Sequence, residues 1–117
     1  MHELPIVKAV LETALKHAEE QQAKKIHKVV LSVGQMHDLV PEWVGKFFRF
    51  ASQGTIAAEA VIEIESIPII CRCGQCQENY LLHIHGPEDQ MCCPLCGSAD
   101  AGMLSGNELL IKEIEVS

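Results

Sequence analysis

The residues best suited to chemistry in this sequence are six cysteines, all between positions 71 and 96. Four of them form two Cys-x-x-Cys pairs, Cys73/Cys76 and Cys93/Cys96, with sixteen residues between the pairs. Two residues between cysteines allow a tight turn to direct both sulfurs at one point, and two such turns give the tetrahedral thiolate geometry of structural zinc. The spacing therefore predicts one structural Zn²⁺ bound by Cys73, Cys76, Cys93 and Cys96.

Disulfides and a redox dithiol are the alternatives to zinc. The chain start lacks the basic and apolar regions of a signal peptide, so we expect a cytoplasmic location, where thiols stay reduced. A redox pair normally opens a helix after a strand, whereas Gly97 directly follows Cys96. Cys71 and Cys92 are interpreted as spare thiols, although either could replace a neighbouring cysteine as a ligand.

Two glycines and a proline are expected to shape the cysteine turns. Gly74 and Gly97 each follow a cysteine, and a metal-binding turn often needs a residue at positive φ, which glycine adopts without steric penalty. Pro94 fixes φ inside the second turn. We therefore expect both glycines at positive φ.

The charge balance limits the classes of partner. The chain has 9 basic and 16 acidic side chains, for a formal net charge of −7. A nucleic-acid reader needs basic residues to neutralise phosphates, so we exclude nucleic acid and expect protein partners or cations. No apolar run reaches the ~18 residues of a membrane-spanning helix, so no membrane role is expected.

Hydrophobic periodicity predicts two helices and three strands. Apolar residues recur at helical spacing from Pro5 to about Gln22, and Pro41 opens a second helix. The second helix is expected to present an apolar stripe to the core, made of Trp43, Val44, Phe47, Phe48 and Ala51. Stretches rich in β-branched residues predict strands at 26–33, 60–70 and 109–116.

The order of these elements predicts an α+β fold with an insertion. Residues 1–70 and 104–117 would form two helices packed on a three-stranded, mostly antiparallel sheet. Residues 71–103 would be an inserted zinc-ribbon domain. Because this insert has too few large apolar residues to fold alone, zinc binding would supply the missing stability.

The start of the chain offers a second set of metal donors. The Met1 amine, the His2 backbone amide and the His2 imidazole can enclose one ion in fused chelate rings, with the Glu3 carboxylate beside them. A nitrogen-rich plane of this kind suits Ni²⁺ or Cu²⁺ and not tetrahedral Zn²⁺. A histidine near a terminus is also a common feature without function, and most termini fray. The residues alone leave both interpretations open.

Taken together, three motifs resemble one known family. They are the Met1-His2-Glu3 start before an amphipathic helix, the strand of residues 29–34 (Val-Val-Leu-Ser-Val-Gly), and the cysteine block that ends in Cys93-Pro94-x-Cys96-Gly97. The combination is similar to the HypA/HybF family of nickel metallochaperones for [NiFe]-hydrogenase maturation. The resemblance covers the chain in length and in element order.

The resemblance implies a function, a metal at each site, and partners. It implies transferable Ni²⁺ bound through His2 and the Met1 amine, with Glu3 as a further donor, and structural Zn²⁺ at the four cysteines. The implied partners are a HypB-type GTPase and the hydrogenase large subunit or its maturation complex. Urease maturation factors are further candidates, and a homodimer is compatible with the sequence. Some members carry a histidine after each cysteine pair; Gln77 and Gly97 stand here, so a zinc-site rearrangement through those histidines is not expected.

Other histidines and acids are weaker candidates. His37 and Asp38, in the loop after the first strand, would add a nickel ligand if that loop folds over the N-terminus. His83 and His85 have a spacing that could bind a metal on a strand, but their polar, Gly-Pro-bounded setting favours a solvated hairpin tip.

Two other function classes compete with nickel delivery. A zinc-ribbon adaptor without a nickel role would need the cysteines and not His2. An enzyme would use Cys71 or Cys92 as a reactive thiol, or Cys93/Cys96 as a dithiol. No general base accompanies these thiols, and the negative net charge raises thiol pKa values. We therefore expect that the protein is not an enzyme.

Overall fold

The computed structural model describes residues 3–83 and 92–117. Helices and strands alternate in the part of the chain before the cysteines. None of the helices in these residues is long and apolar enough to cross a membrane. In chain order the elements are α1 (Glu3–Glu20), β1 (Ile26–Gly34), a 3-10 turn (Gln35–His37), α2 (Pro41–Ala51), β2 (Val61–Ile67), β3 (Ile70–Cys73), β4 (Asn79–Leu81), β5 (Ala101–Ser105) and β6 (Leu109–Val116).

Helix α1 forms where the periodicity predicted it and ends in a defined cap. Its buried apolar side chains recur every three or four residues: Val7, Val10, Leu11, Ala14 and Ala18. At its end Gln22 takes a left-handed φ of 55°. The Gln22 amide then bonds to the Glu19 carbonyl at 3.0 Å and the Ala23 amide to the Ala18 carbonyl at 2.8 Å. This is the Schellman arrangement, in which two otherwise unpaired carbonyls of the last turn are satisfied.

Helix α2 buries only part of its predicted apolar stripe. Val44 and Phe48 are fully buried, and α2 packs against α1. Trp43 is 45% exposed and Phe50 is 79% exposed, so the prediction that Trp43 belongs to the core is wrong. The reason is angular, because residues 44, 48 and 51 share one arc of the helix whereas residue 43 lies about 100° away from residue 44.

The strands form two three-stranded sheets, with orders β2-β1-β6 and β4-β3-β5. Strand β6 is antiparallel to β1, because Ser117 N bonds to Lys25 O at one end and Gly34 N to Glu108 O at the other. Strand β3 is antiparallel to both β4 and β5. Two helices, a three-stranded sheet and a cysteine-bearing ribbon confirm the predicted α+β class.

The strand predicted over residues 60–70 is interrupted. Strand β2 ends at Ile67, and β3 begins at Ile70 in the other sheet. Pro68 lies between them, and proline cannot donate a ladder hydrogen bond, which ends regular pairing at that point. The single predicted strand is therefore two strands that serve different sheets.

The described residues divide into two compact units. One contains the described parts of residues 1–32, 39–65 and 110–117, and the other those of residues 33–38 and 66–109. The second unit has its own buried cluster, formed by Ile69, Cys71, Cys73, Tyr80, Leu82 and Cys93. It also contains a close backbone approach, since a Cβ atom placed on Gly34 would lie 2.0 Å from the Gly106 carbonyl oxygen.

Candidate metal centre

The sulfurs of Cys73, Cys76, Cys93 and Cys96 converge. All four Sγ atoms lie within 4.8 Å of one another. The Cys73–Cys96 sulfur distance is 3.4 Å and the Cys76–Cys93 distance is 3.6 Å. A tetrahedron with Zn–S bonds of about 2.3 Å has edges of about 3.8 Å, whereas a disulfide bond is about 2.05 Å long. The donor set therefore fits a four-thiolate zinc site, and the described cysteines are all free thiols.

The two cysteine turns close in the same way. In each, the amide of the first cysteine bonds to the carbonyl five residues later, and its carbonyl accepts the amide four residues later. The four bonds are Cys73 N to Glu78 O (2.9 Å), Gln77 N to Cys73 O (3.1 Å), Cys93 N to Ser98 O (2.9 Å) and Gly97 N to Cys93 O (2.8 Å). Two short segments far apart in sequence thus fold into matching loops that present paired sulfurs.

The positive-φ position of each turn is its fourth residue after the first cysteine. Gly97 has a φ of 76°, which confirms the prediction for the second turn. In the first turn Gln77 takes this place with a φ of 67°, and the prediction for Gly74 is wrong. Gly74 serves another purpose, because a Cβ atom there would lie 2.5 Å from an Asp100 carboxylate oxygen, and the Gly74 amide bonds to Asp100 O at 2.8 Å.

Backbone hydrogen bonds and burial shift the pKa values of the cysteine thiols in this cluster. Backbone amides of Cys76 and Gln75 point at the Cys73 sulfur, at 3.5 and 3.4 Å, and lower the pKa of Cys73 to about 6. The Glu78 amide lowers the pKa of Cys76, but burial and the adjacent thiols outweigh it and raise that pKa to about 12. Thiols that are still protonated lose their protons when they bind a divalent cation.

Cys71 and Cys92 stand outside the four-sulfur group among the described residues. Cys71 is buried opposite Tyr80 across the β3–β4 ladder, while Cys92 is exposed. Cys96 is also exposed, so one side of the cluster faces solvent. The geometry assigns no ligand role to Cys71 or Cys92.

At the chain start, Met1 and His2 lie outside the described residues, and Glu3 is the first residue of α1. The Glu3 side chain is buried, with 3% exposure. Its Oε2 accepts a hydrogen bond from the Val40 amide at 3.2 Å. Val40 is the N-cap of α2 and lacks a side-chain cap of its own. Glu3 thus joins the start of α1 to the start of α2. No local sequence pattern predicts this contact.

The weaker candidates are distributed elsewhere. The His37 Nε2 lies 2.9 Å from the Asn107 carbonyl oxygen, to which the ring N–H donates. Asp38 takes a left-handed φ of 52° at the end of the 3-10 turn, and its amide bonds to the Gln35 carbonyl. His83 is exposed just after β4, and its predicted companion His85 lies outside the described residues.

Comparison with known proteins identifies close relatives of the chain. A family model described as "Hydrogenase/urease nickel incorporation, metallochaperone, hypA" matches residues 1–116. The hydrogenase maturation factor HypA of Picosynechococcus sp. is 35% identical over 117 residues, which are 99% of each chain. The HypA of Aquifex aeolicus is 34% identical over 119 residues, covering 99% of this chain and 97% of its own.

Solved structures share the fold. The solution structure of the Ni metallochaperone HypA from Helicobacter pylori matches with a TM-score of 0.65 and 23% identity, over 99% of this chain and 97% of that one. A second solution structure of a HypA protein matches with a TM-score of 0.69 and 22% identity, over 100% and 97% of the two chains. Because the family model spans almost every residue, the chain belongs to the HypA family and is a nickel-incorporation metallochaperone for hydrogenase maturation, not an enzyme.

Proposed function

We propose that the protein binds one Ni²⁺ at its N-terminus and delivers it for [NiFe]-hydrogenase maturation, while a structural Zn²⁺ occupies the four-cysteine cluster. The observation that carries this proposal is the family match over residues 1–116, which includes the Met1-His2-Glu3 start. The chemistry of that start supports it, since an amine, an amide and an imidazole in sequence form a nitrogen-rich chelate suited to Ni²⁺.

The proposed nickel donors are the Met1 amine, the His2 amide nitrogen and the His2 imidazole, with Glu3 beside them. Asp38 and His37 are further candidate donors. Amine and imidazole both titrate near neutral pH, so nickel affinity falls as the pH drops below about 7. A site with few donors at a chain terminus exchanges its ligands readily, which suits a carrier that must release its cargo.

The proposed zinc role is structural. Zn²⁺ bound by Cys73, Cys76, Cys93 and Cys96 would hold a ribbon domain of residues 71–103, and residues 1–70 and 104–117 would form the nickel-binding domain. Metal coordination is worth on the order of 10–16 kcal/mol in comparable small zinc modules. The small buried cluster of this part of the chain is the reason that it needs such a contribution.

Delivery is proposed to follow relative affinity, because a carrier releases metal to an acceptor that binds it more tightly. The proposed acceptors are a HypB-type GTPase and the hydrogenase large subunit or its maturation complex, in the cytoplasm. The family description names urease as well as hydrogenase, so urease maturation factors remain in the proposal. A homodimer is compatible with it.

A nickel titration tests the proposal. Zinc-loaded protein with a native, untagged N-terminus is titrated with Ni²⁺ by calorimetry and absorption spectroscopy, beside His2→Ala. His17→Ala is the matched control, because His17 is an exposed histidine near the end of α1. We expect binding near one equivalent that is lost in His2→Ala and kept in His17→Ala, with zinc content unchanged in all three.

Each other outcome has a defined meaning. Equal binding by wild type and His2→Ala would refute the terminal site and direct the search to His83 and His85. Absence of specific nickel binding in every protein would refute the carrier function. A zinc-ribbon adaptor would then be the better interpretation.

A further inference from the structure

A cleft lies between α2 and the start of β2, in the first compact unit. Its volume is about 300 Å³, and its lining includes Gly45, Phe48, Arg49, Ala60, Val61 and Ile62. We call it the Gly45 cleft, because the missing side chain at that position opens it. Beyond its own helix backbone, a Cβ atom on Gly45 would meet only the Ile62 Cγ2 among the described residues, at an ordinary 3.8 Å. Glycine also weakens a helix interior, so its presence in α2 leaves space at the expense of helix stability.

The shape of the Gly45 cleft suits a side chain. Its volume is at the lower limit of the ~300–1,000 Å³ of small-molecule pockets, which leaves little room for a cofactor. Its floor is apolar, since Phe48 is buried and Ile62 half-buried, and its wall is formed by the small Ala60. A single large apolar group would fill it.

The strand that borders the cleft is an edge strand. The sheet order β2-β1-β6 leaves one side of β2 without a strand partner among the described residues. Val61, at the start of β2, is 58% exposed. An unpaired strand edge is a template for an added strand, whose alternate side chains then enter adjacent pockets. An extended segment paired with β2 would place one side chain at the cleft.

The charge of the residues that line the cleft indicates which second side chain a bound segment would carry. Arg49 lines the cleft, and its guanidinium forms no ion pair within the part of the chain that the structure describes. The acid Glu59 also lines the cleft, but its carboxylate is already bound by Lys25 at 2.7 Å, and this bond lowers the pKa of Glu59. The cleft thus presents a cation that no acid among the described residues neutralises, in a chain whose formal net charge is −7. A carboxylate is the complementary group.

The acids farther along β2 do not offset this cation. Glu63 is paired with Lys28 at 3.2 Å, and Glu65 with Lys112. Both pairs neutralise the strand beyond the cleft, so an incoming acid meets the Arg49 charge without a facing row of unpaired carboxylates. The favourable position for that acid is next to the apolar side chain that fills the cleft.

We propose that the Gly45 cleft and the free edge of β2 bind an extended segment of a partner protein that carries a large apolar side chain beside an acidic one. Backbone bonds to β2 supply affinity, the cleft selects the apolar residue, and Arg49 selects the acid. The residues that line this surface include none of the proposed metal donors, so the proposal stands or falls independently of nickel binding.

The test uses zinc-loaded protein and a synthetic capped hexapeptide of sequence Thr-Val-Leu-Asp-Val-Thr, followed by amide chemical shifts in NMR. We expect saturable shifts confined to the amides of Gly45, Arg49, Val61 and neighbouring positions. Gly45→Leu should abolish binding by filling the cleft. Gly45→Ala is the matched control and should retain it, because one methyl group leaves most of the volume free.

Charge variants complete the test. Arg49→Gln should weaken binding about tenfold, the loss expected when a charge-assisted hydrogen bond becomes a neutral one. A peptide with lysine in place of aspartate should not bind. Absence of saturable shifts, or equal binding by wild type and Gly45→Leu, would overturn the proposal. Nickel titrations of the same variants should match wild type, which separates this result from the proposed nickel site.

Discussion

The hydrogen bond from the Val40 amide to Glu3 gives the sharpest quantitative prediction. Replacing Glu3 by alanine removes the acceptor that caps α2 and leaves a part-buried N–H without that partner. Loss of an N-cap costs about 0.5–2 kcal/mol, and an unsatisfied buried donor costs about 1–3 kcal/mol. Both costs refer to the same lost hydrogen bond and are therefore not added together. We expect the free energy of unfolding to fall by about 2 kcal/mol in Glu3→Ala.

Glutamine separates the hydrogen bond from the charge. Its carbonyl oxygen can still accept the Val40 N–H, while the charge at the positive end of the α2 dipole is lost. That charge is worth about 0.3–1 kcal/mol, so Glu3→Gln should lose less than half as much stability as Glu3→Ala. Glu12→Ala, at an exposed position on the same helix, should lose only a few tenths of a kcal/mol.

Thermal unfolding of zinc-loaded, nickel-free protein is the assay. For a chain of this size, a loss of about 1 kcal/mol lowers Tm by roughly 3–5 °C, so Glu3→Ala should unfold about 6–10 °C below wild type. A Glu3→Ala variant as stable as Glu12→Ala would refute the reasoning. If Glu3→Gln keeps its Tm but binds nickel more weakly, Glu3 acts as a metal donor in addition to its structural bond.

Three further changes test the cysteine turns and the second unit. Gln77→Gly should stabilise the protein by about 0.5–1 kcal/mol in thermal unfolding. The substitution removes the cost of about 1–2 kcal/mol of a non-glycine residue at positive φ, but glycine also adds entropy to the unfolded chain, which offsets part of the gain. A loss of stability would contradict this prediction. Zinc affinity should fall as the pH falls, because Cys76, with a pKa of about 12, releases a proton when it binds zinc. The fall should be steeper below about pH 6, where Cys73 is also protonated. Competition with a chromogenic chelator between about pH 5.5 and 8 measures the affinity, and a flat profile would disprove the prediction. Gly34→Ala should lower the free energy of unfolding by about 3 kcal/mol or more, because the new Cβ atom would lie 2.0 Å from a backbone oxygen. Gly102→Ala should lower it far less, because no described atom outside its chain neighbours lies within 4 Å of a Cβ atom there. Equal denaturation midpoints for the two variants would refute this prediction.

Local patterns predicted the local parts of this structure. The four cysteines were identifiable because a Cys-x-x-Cys turn is complete within a few residues and its geometry depends little on the rest of the chain. Helix α1 followed from periodicity, since its buried positions share one face. Strand β6 was predicted at the residues where it is observed, 109–116.

The missed features depend on contacts between distant residues or on strain. Glu3 and Val40 are 37 positions apart, and no spacing rule connects an acid with a backbone amide so far away. Gln77 occupies a positive-φ position for which sequence patterns favour glycine, and this preference points to Gly74 instead. Pro68 marked the end of a strand but not the sheet to which the next strand belongs.

The close approach of Gly34 and Gly106 has a consequence for how the protein is made. The ribosome releases the N-terminal residues first, so Gly34 emerges before Gly106 and waits for its contact until Gly106 has been synthesised. The cysteine pairs emerge in the interval between them. Closure of the unit that contains the cysteines therefore waits for Gly106, although all six cysteines precede that glycine in the chain. If the four-cysteine site stayed without metal during synthesis, this segment would be exposed to proteases at the time when it has fewest contacts.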